Sequence, residues 1–328
     1  MGNKFSISMG DDAFVMEEGT KMKKNLLPEQ QHRYKFGHVL HSMSDGQRRM
    51  ATNNATGKKY CMHRICKGDK ADLKAFHKEV EIMRLFIGHP CVVQLVEVYE
   101  DTFNHIHLIT ELCEGNLIDR FIKNGYYTED QAQEAARTLL ETVDYCHAMG
   151  VIIRDIKPEN ILLKKTNTEN ASIKIGNLGN AYSVPGSKSA IKIAEHHVEM
   201  EAHGGLPHDA ACVCEDDFYV SSFYPAPEVL TLHRCGRESD VWSLGMVLYM
   251  ALSGRAPFYE AHKENVQDEI LSRDLSFTSP AWDDISEAAK DFILKATVKD
   301  YRLRATISEL LAHPWLSTGS PLNPKPLA

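Results

Sequence analysis

The stretch that most constrains this chain is VIIRDIKPENILL, Val151–Leu163, in which polar residues separate two apolar runs. Those polar residues include Arg154, Asp155, Lys157 and Asn160. A second string, IKIGNLGNA, follows at Ile173–Ala181 and contains Asn177, Leu178 and Gly179. A carboxylate, a lysine and several amides on two neighbouring segments mark a candidate chemical site.

Composition places the chain among globular proteins. It has 328 residues, 43% of them hydrophobic and 25% charged, enough for a large core and two packed lobes. The net charge of −8 gives no electrostatic case for nucleic-acid binding. Eight cysteines scattered through apolar runs favour reduced thiols and a cytoplasmic protein. No run approaches the roughly 18 apolar residues that span a bilayer, and no secretory signal is expected.

The first residues, MGNKFS, fit the N-myristoylation pattern, with Gly2 after Met1 and Ser6 at the required offset. One myristoyl chain binds membranes only marginally, so nearby lysines would have to supplement it. They are Lys4, Lys21, Lys23 and Lys24. We expect a tail over residues 1–33 that associates with membranes if Gly2 is acylated; the alternative is a disordered tail that begins with glycine.

The hydrophobic pattern changes along the chain from strands to long helices. Short β-rich runs cover Tyr34 to Arg64, helical spacing covers Leu73–Phe86, and apolar strands are predicted at Cys91–Asp101 and His105–Leu112. Four helices are predicted after that, at Glu129–Gly150, Ser239–Gly254, Ser286–Val298 and Thr306–Leu316. The pattern predicts an α+β protein with a small lobe over about 34–113, a helical lobe over about 114–316 and a tail over 317–328.

The order of these segments resembles a eukaryotic protein kinase, most closely the calcium/calmodulin-dependent and calcium-dependent kinases. The resemblance rests on ITELCEGNLIDRFIKNG, HAMGVIIRDIKPENILL, APEVL, SDVWSLGMVLYMALSGRAPF and HPWL, and it runs from about Tyr34 to Leu316. It implies a bilobal fold, an ion pair between Glu228 and Arg304, and capping of catalytic-loop amides by Asp240. No EF-hand loop follows, so calcium-binding EF-hands are not expected in this chain.

The resemblance also implies roles for individual residues. Asp155 would orient a substrate hydroxyl, Lys157 would contact phosphate, and Asn160 and Asn177 would stand at the metal positions. The remaining positions would form a degenerate ATP site: Gly46, His63, Glu79, Thr110, Glu111, Cys113 and Leu162.

Several of these positions depart from the family pattern. In Leu40–Arg48 only Gly46 remains of the glycine-rich loop, and side chains at the other glycine positions keep backbone amides away from a phosphate. His63 replaces the strand lysine and is shorter and mostly neutral at pH 7. Rescue by a cation from Arg48 or Lys59 is the alternative.

Asn177 replaces the metal-binding aspartate, although Mg²⁺ prefers charged oxygen ligands. The loss of one charge-stabilising contact commonly lowers the rate by about 10²–10³. We therefore predict a pseudokinase with weakened ATP binding and doubtful Mg²⁺ binding. Ile153 and Leu178 replace the family His and Phe, and we expect them to pack in a buried stack with Met83 and Leu95.

A long insert occupies residues 183–220. Its histidines and cysteines invite a zinc interpretation, but their spacing matches no strong template, and a solvated docking segment or groove cover is favoured. The residues concerned are His196, His197, His203, His208, Cys212 and Cys214. The resemblance also implies that Ser221 stands where the family has a Thr that supports the catalytic Asp. After the hinge the family has two glycines and a Glu that helps to select basic peptides. This chain has Glu114–Asn116 instead, which is one residue shorter and lacks that Glu, whereas Glu159 remains as an acidic contact.

Three functions remain open. The first is a regulatory or scaffolding protein that binds protein partners without appreciable phosphotransfer. The second is a weak or divergent serine/threonine kinase that uses ATP. The third is a nucleotide-binding switch without turnover.

Overall fold

The computed structural model describes residues 6–9, 12–15, 33–43, 46–66, 70–101, 105–164, 172–185, 212–213, 225–258 and 266–317. Gly2, Ser221 and most of the insert lie outside these ranges, so acylation and zinc binding stay predictions. The described residues form two compact units. The first extends to His77 and includes Leu95–Leu112, and the second contains Lys78–Gln94 and the described residues from Cys113 onward.

The first unit contains a hairpin, a five-stranded antiparallel sheet and the start of a helix. Its elements are β1 (Ser6–Met9), β2 (Asp12–Val15), β3 (Tyr34–Met43), β4 (Gly46–Asn53), β5 (Lys59–Cys66), α1 (Lys70–Leu85), β6 (Leu95–Glu100) and β7 (His105–Glu111). The sheet order is β3-β4-β5-β7-β6. Aromatic and large apolar side chains suit a half-buried pleated surface, and Tyr34, Tyr60, Met62 and Ile109 form its core.

One predicted strand begins later than its apolar run. The prediction placed it at Cys91–Asp101, but β6 starts at Leu95. The residues before it bond elsewhere: the amide of Val93 donates to Ile175 and the amide of Ile175 donates to Cys91. The first part of the apolar run therefore bonds to Ile175, and the part from Leu95 onward pairs with β7. Hydrophobicity alone does not show where the first pairing ends and the second begins.

The second unit is mainly helical, with short strands between the helices. Its helices are α2 (Leu117–Asn124), α3 (Glu129–Ala148), α4 (Pro227–Leu232), α5 (Arg237–Ser253), α6 (Val266–Ser272), α7 (Glu287–Ala296), α8 (Ile307–Leu311) and α9 (Pro314–Ser317). Its strands are β8 (Gly115–Asn116), β9 (Val151–Ile152), β10 (Ile161–Lys164), β11 (Ser172–Ile175), β12 (Tyr182–Ser183), β13 (Cys212–Val213) and β14 (Arg234–Cys235). None of the helices described is long and apolar enough to cross a membrane.

Capping side chains set the starts of several helices. Asn116, Thr128, Ser286 and Thr306 each accept a hydrogen bond from a first-turn amide. The predicted helix Thr306–Leu316 is instead two helices, α8 and α9, because Pro314 has no amide hydrogen and disfavours helical backbone before it. Helix α5 is buried along most of its length, as its apolar sequence predicted.

Two buried carboxylates hold the second unit together. Asp240 accepts hydrogen bonds from the amides of Ile153 and Arg154 at 2.9 and 2.8 Å, and its Oδ2 lies 2.7 Å from His147 Nε2. Glu228 receives two hydrogen bonds from Arg304, at 2.7 and 2.8 Å. Both predicted contacts are therefore confirmed.

Replacing Arg304 with methionine leaves the Glu228 carboxylate, 1% exposed, without its ion partner. We expect Arg304→Met to lower the free energy of unfolding by roughly 3–5 kcal/mol, since a broken buried pair costs far more than an exposed one. Urea unfolding monitored by circular dichroism measures this loss.

Arg302→Met is the matched control, because Arg302 pairs with Asp300 on the surface and should leave the midpoint almost unchanged. The double variant Glu228→Gln/Arg304→Met should recover part of the loss. Equal effects of the two arginine substitutions would contradict this role of the buried pair.

A row of stacked rings in the first unit contains a buried histidine. His107 is 2% exposed and stacks on Tyr99 and Phe36, with ring centroids 4.7 and 5.8 Å away. Its Nε2 lies 2.9 Å from Asp101 Oδ2 and its Nδ1 lies 3.3 Å from Met62 Sδ. Burial lowers the pKa of His107, although Asp101 partly opposes that shift.

This lowered pKa predicts a pH dependence of stability. The unfolded histidine binds a proton near pH 6.5, whereas the folded one does so only at lower pH. The contribution of His107 to the free energy of unfolding is therefore fully present above about pH 6.5. It decreases as the pH drops from there through the folded pKa of His107. His107→Phe should weaken this dependence in urea titrations between pH 7.5 and 5. Phe36→Leu removes a neighbouring ring without a proton and should lower stability equally at every pH.

Candidate functional site

The catalytic-loop sequence is shaped by its contacts with helix α5. Because Asp240 binds two successive amides, the chain turns sharply after Ile153, and Arg154 adopts the left-handed backbone region at φ 68°. A 3₁₀ turn at Pro158–Asn160 then folds the loop back, with the Asn160 amide donating to the Lys157 carbonyl at 2.9 Å. This path brings three predicted site residues together, Asp155, Lys157 and Asn160.

Asp155 is the centre of the resulting cluster and is 7% exposed. Lys157 Nζ lies 2.9 Å from its Oδ1. The side-chain amide of Asn160 donates to its Oδ2 at 3.0 Å and to its main-chain carbonyl at 2.8 Å. The carboxylate predicted to orient a hydroxyl is thus held by a lysine and an amide.

Asn177 is positioned by strand β11 and a tight approach to β10. A Cβ at Gly176 would lie 2.8 Å from Leu162 Cδ1 and 3.2 Å from Val93 Cγ2, so a glycine is needed before Asn177. Asn177 itself is left-handed, at φ 56° and ψ 66°, a conformation that asparagine tolerates. Its Nδ2 donates to Asn160 Oδ1 at 3.2 Å.

Asn180 completes the cluster and was missed by sequence reasoning. Its Nδ2 donates to Asp155 Oδ2 at 3.1 Å. The sequence signal was its position directly after Gly179, next to the Asn177–Gly179 segment that was already assigned to the site. We call Asp155, Asn160, Asn177 and Asn180 the amide cluster.

Helix α1 places Glu79 beside the Asn177–Gly179 turn. Glu79 is 4% exposed, and a Cβ on Gly179 would lie 3.7 Å from its Oε2. The apolar replacements are buried as expected: Ile153 and Leu178 are each 1% exposed and Met83 is 5% exposed. Leu95, the fourth predicted member of the stack, is only partly buried.

Other predicted nucleotide-site residues lie in the first unit. His63 is 2% exposed and lies on β5, opposite Leu108 on β7 and Arg48 on β4. The first unit also contains Gly46 at the start of β4 and Thr110 and Glu111 at the end of β7.

The register places Arg48 directly opposite His63, so both occupy one face of the sheet. Lys59, the other proposed rescue cation, is exposed. Cys113 and Leu162 belong to the second unit, where Leu162 pairs with Asn116. Within the ranges that the structure describes, no three His, Cys, Asp or Glu residues are grouped to hold a metal ion.

The comparisons with known proteins agree with this geometry. A family model described as "Protein kinase domain" matches residues 35–316. The chain belongs to the protein kinase family. Its sheet-containing unit and its helical unit are the N-terminal and C-terminal lobes of that fold, as predicted, and the family implies the use of ATP and Mg²⁺.

Similar curated proteins carry the name calcium-dependent protein kinase. Calcium-dependent protein kinase 2 of Zea mays is 36% identical over 298 residues, which cover 90% of this chain and 53% of the relative. Calcium-dependent protein kinase 9 of Arabidopsis thaliana is 35% identical over 298 residues, 90% of this chain and 50% of the relative. The chain spans about half the length of these relatives.

The hydrogen bonds of the amide cluster allow a prediction of how an aspartate at position 177 would change stability and Mg²⁺ binding. Asn177→Asp replaces a donor with a second oxygen facing Asn160 Oδ1. We expect a loss of roughly 1–3 kcal/mol in the free energy of unfolding without divalent cations. Because an aspartate at position 177 would supply the charged metal ligand that the family resemblance places there, we expect millimolar Mg²⁺ to recover part of the loss in a thermal-shift assay.

Asn177→Ala is the control, since it removes the same hydrogen bond without adding charge. Its melting temperature should fall and stay insensitive to Mg²⁺. A wild-type protein that Mg²⁺ stabilises as strongly as Asn177→Asp would contradict this account of the cluster.

Proposed function

We propose that this kinase-family protein has lost most of its phosphotransfer activity and acts as a regulatory or scaffolding module that binds protein partners. The observation that carries the proposal is the hydrogen bond from Asn177 to Asn160 Oδ1. It joins the two positions at which the family holds its metal ions, and it needs no cation. Retention of the Glu228–Arg304 and Asp240 contacts supports a protein that keeps the fold as its working part.

The donor set of the amide cluster does not fit Mg²⁺. The ion requires hard, charged oxygens in near-octahedral geometry. Here Asn160 Oδ1 faces an N–H group, and Asp155 Oδ2 accepts hydrogen bonds from Asn160 and Asn180. To ligate the ion, the Asn177 amide would have to rotate, and it would then offer one neutral oxygen.

The position expected to contact the phosphates of ATP lacks a positive charge as well. His63 stands where the resemblance expects a lysine, and it is buried on β5. If each lost contact lowers the rate by about 10²–10³, one loss reduces a turnover of roughly 1–100 per second to about 1 per second or less. The effects need not multiply, because such groups act as a unit.

A weak or divergent serine/threonine kinase is the second candidate, and one observation favours it. Arg48 lies directly opposite His63 on the neighbouring strand, so a permanently charged residue shares a face of the sheet with the position of the missing lysine. Asp155 and Lys157, the residues to which the resemblance assigns hydroxyl orientation and phosphate contact, are both retained, and their charged groups lie 2.9 Å apart.

Transfer of labelled phosphate from ATP separates the two candidates. We expect the purified protein with Mg²⁺ to give no more product, on itself or on a basic serine/threonine peptide, than Asp155→Ala. Product that exceeds this background and disappears in Arg48→Met would favour the divergent kinase. Lys35→Met, on neighbouring strand β3, is the matched control for the loss of a positive charge.

Restoring both charged groups is the complementary measurement. His63→Lys/Asn177→Asp should gain phosphotransfer over the wild type by at least tenfold if charge is the main defect. A double variant that folds normally and stays inactive would show that the loop and the insert close the site too.

ATP binding is tested independently of turnover. A ligand at 100 times its Kd stabilises the folded state by about 2.7 kcal/mol, so bound ATP raises the melting temperature measurably. We expect no Mg²⁺-dependent rise for the wild type. A clear rise together with absent phosphotransfer would instead identify a nucleotide-binding switch.

A further inference from the structure

The segment that contains strands β3, β4 and β5 carries positive charge only. Residues 33–43 and 46–66 include seven basic residues and no Asp or Glu, although the whole chain has 45 acidic and 37 basic residues and a net charge of −8. The acidic excess therefore lies elsewhere in the chain, and the net charge does not describe this part of the surface. The seven basic residues are Arg33, Lys35, Arg48, Arg49, Lys58, Lys59 and Arg64.

Four of these residues gather at one end of the sheet. The register aligns Lys35 of β3 with Thr52 of β4, and Thr52 with Lys59 of β5, so the two lysines lie in one cross-strand row on one face. The carbonyl of Arg33 accepts a hydrogen bond at 2.8 Å from an amide of the β4–β5 turn, and Lys58 closes that turn. We call this group, Arg33, Lys35, Lys58 and Lys59, the basic tip.

The β4–β5 turn gives the basic tip a fixed shape. The side-chain oxygen of Asn53 accepts hydrogen bonds from the amides of Ala55 and Thr56 at 3.0 and 3.1 Å, and the amide of Gly57 donates to the Asn53 carbonyl at 2.8 Å. Gly57 adopts φ 69°, a conformation that glycine takes without strain. Residues 54–57 are all exposed, so this end of the sheet finishes in a narrow, hydrogen-bonded turn that faces solvent.

Most of the charge in the basic tip is uncompensated. Its four side chains are exposed, and within the part of the chain that the structure describes only Arg33 has an acidic partner, with its Nη1 2.8 Å from Glu97 Oε1. The ammonium group of Lys58 lies 5.7 Å from the centre of the Tyr60 ring instead. Four cations and one carboxylate therefore leave three positive charges at this end of the sheet.

We propose that the basic tip is a docking surface for an anionic lipid bilayer. Lysines carry their ammonium groups on long apolar stems, which lets them reach the phosphate and carboxylate groups of lipid head groups. Each basic residue near an anionic leaflet strengthens binding about fivefold, so three uncompensated charges contribute roughly a hundredfold. The inference does not depend on whether the protein transfers phosphate.

The arrangement of the charges fits a flat surface better than an acidic peptide. Successive side chains of a strand point to opposite faces, so Lys59 and Tyr60 lie on opposite faces of β5. Lys58 leans over the Tyr60 ring, on the face opposite to the row of Lys35 and Lys59. A peptide lying along one face would reach only part of the basic tip, whereas a plane facing the end of the sheet meets all of it. Repulsion of the acidic remainder of the chain favours the same orientation.

Cosedimentation of the whole chain with lipid vesicles tests the proposal. The protein is produced without an acyl chain, so that binding reports on the protein surface alone. The vesicles consist of phosphatidylcholine, either pure or with about a third of phosphatidylserine. We expect binding to the anionic vesicles to be at least tenfold stronger, and to weaken as the ionic strength rises.

Removing charge from the basic tip should weaken this binding. Lys35→Gln/Lys58→Gln/Lys59→Gln should lower the affinity for anionic vesicles at least tenfold, because each basic residue contributes about fivefold. All three side chains are exposed, so the melting temperature should stay close to that of the wild type.

The matched control removes three exposed charges from the second unit. Lys123→Gln/Arg273→Gln/Arg302→Gln gives the same net charge as the triple variant of the basic tip and should keep the wild-type affinity. A difference between the two variants therefore reports on the position of the charges and not on their number.

Several results would overturn the proposal. One is binding to anionic vesicles that is absent or no stronger than binding to pure phosphatidylcholine. Another is wild-type affinity in the triple variant of the basic tip, or an equal loss in the control. A third is binding to polyglutamate, but not to anionic vesicles, that requires the basic tip, since this would assign the surface to an acidic protein partner.

Discussion

The buried carboxylate of Asp240 is the contact on which the candidate site depends. It accepts hydrogen bonds from the amides of Ile153 and Arg154, and it lies 2.7 Å from the ring of His147. A buried carboxylate without such partners would be very costly, so the loop and the helix fix each other. The turn at Arg154, and with it the direction in which Asp155 leaves the strand, follows from this contact.

With the loop fixed, the chemistry of the site is decided by which groups carry charge. A carboxylate at position 177 would face the oxygen of Asn160 and would need a cation between them, whereas the amide of Asn177 supplies a hydrogen instead. Asn180 does the same for Asp155. The cluster therefore satisfies its own polar groups, and its folding does not require a ligand. Because the cluster folds without a ligand, the presence of the kinase fold does not by itself indicate that the reaction is retained.

Long-range contacts of the scaffold could be predicted from the sequence because they accompany recognisable motifs, as with Glu228 and Arg304. The boundaries of apolar segments could not: the strand predicted from Cys91 starts at Leu95, since hydrophobicity does not show which partner a strand residue takes. Asn180 was missed for a similar reason. An asparagine is common in turns, and only the three-dimensional path shows that its amide reaches Asp155.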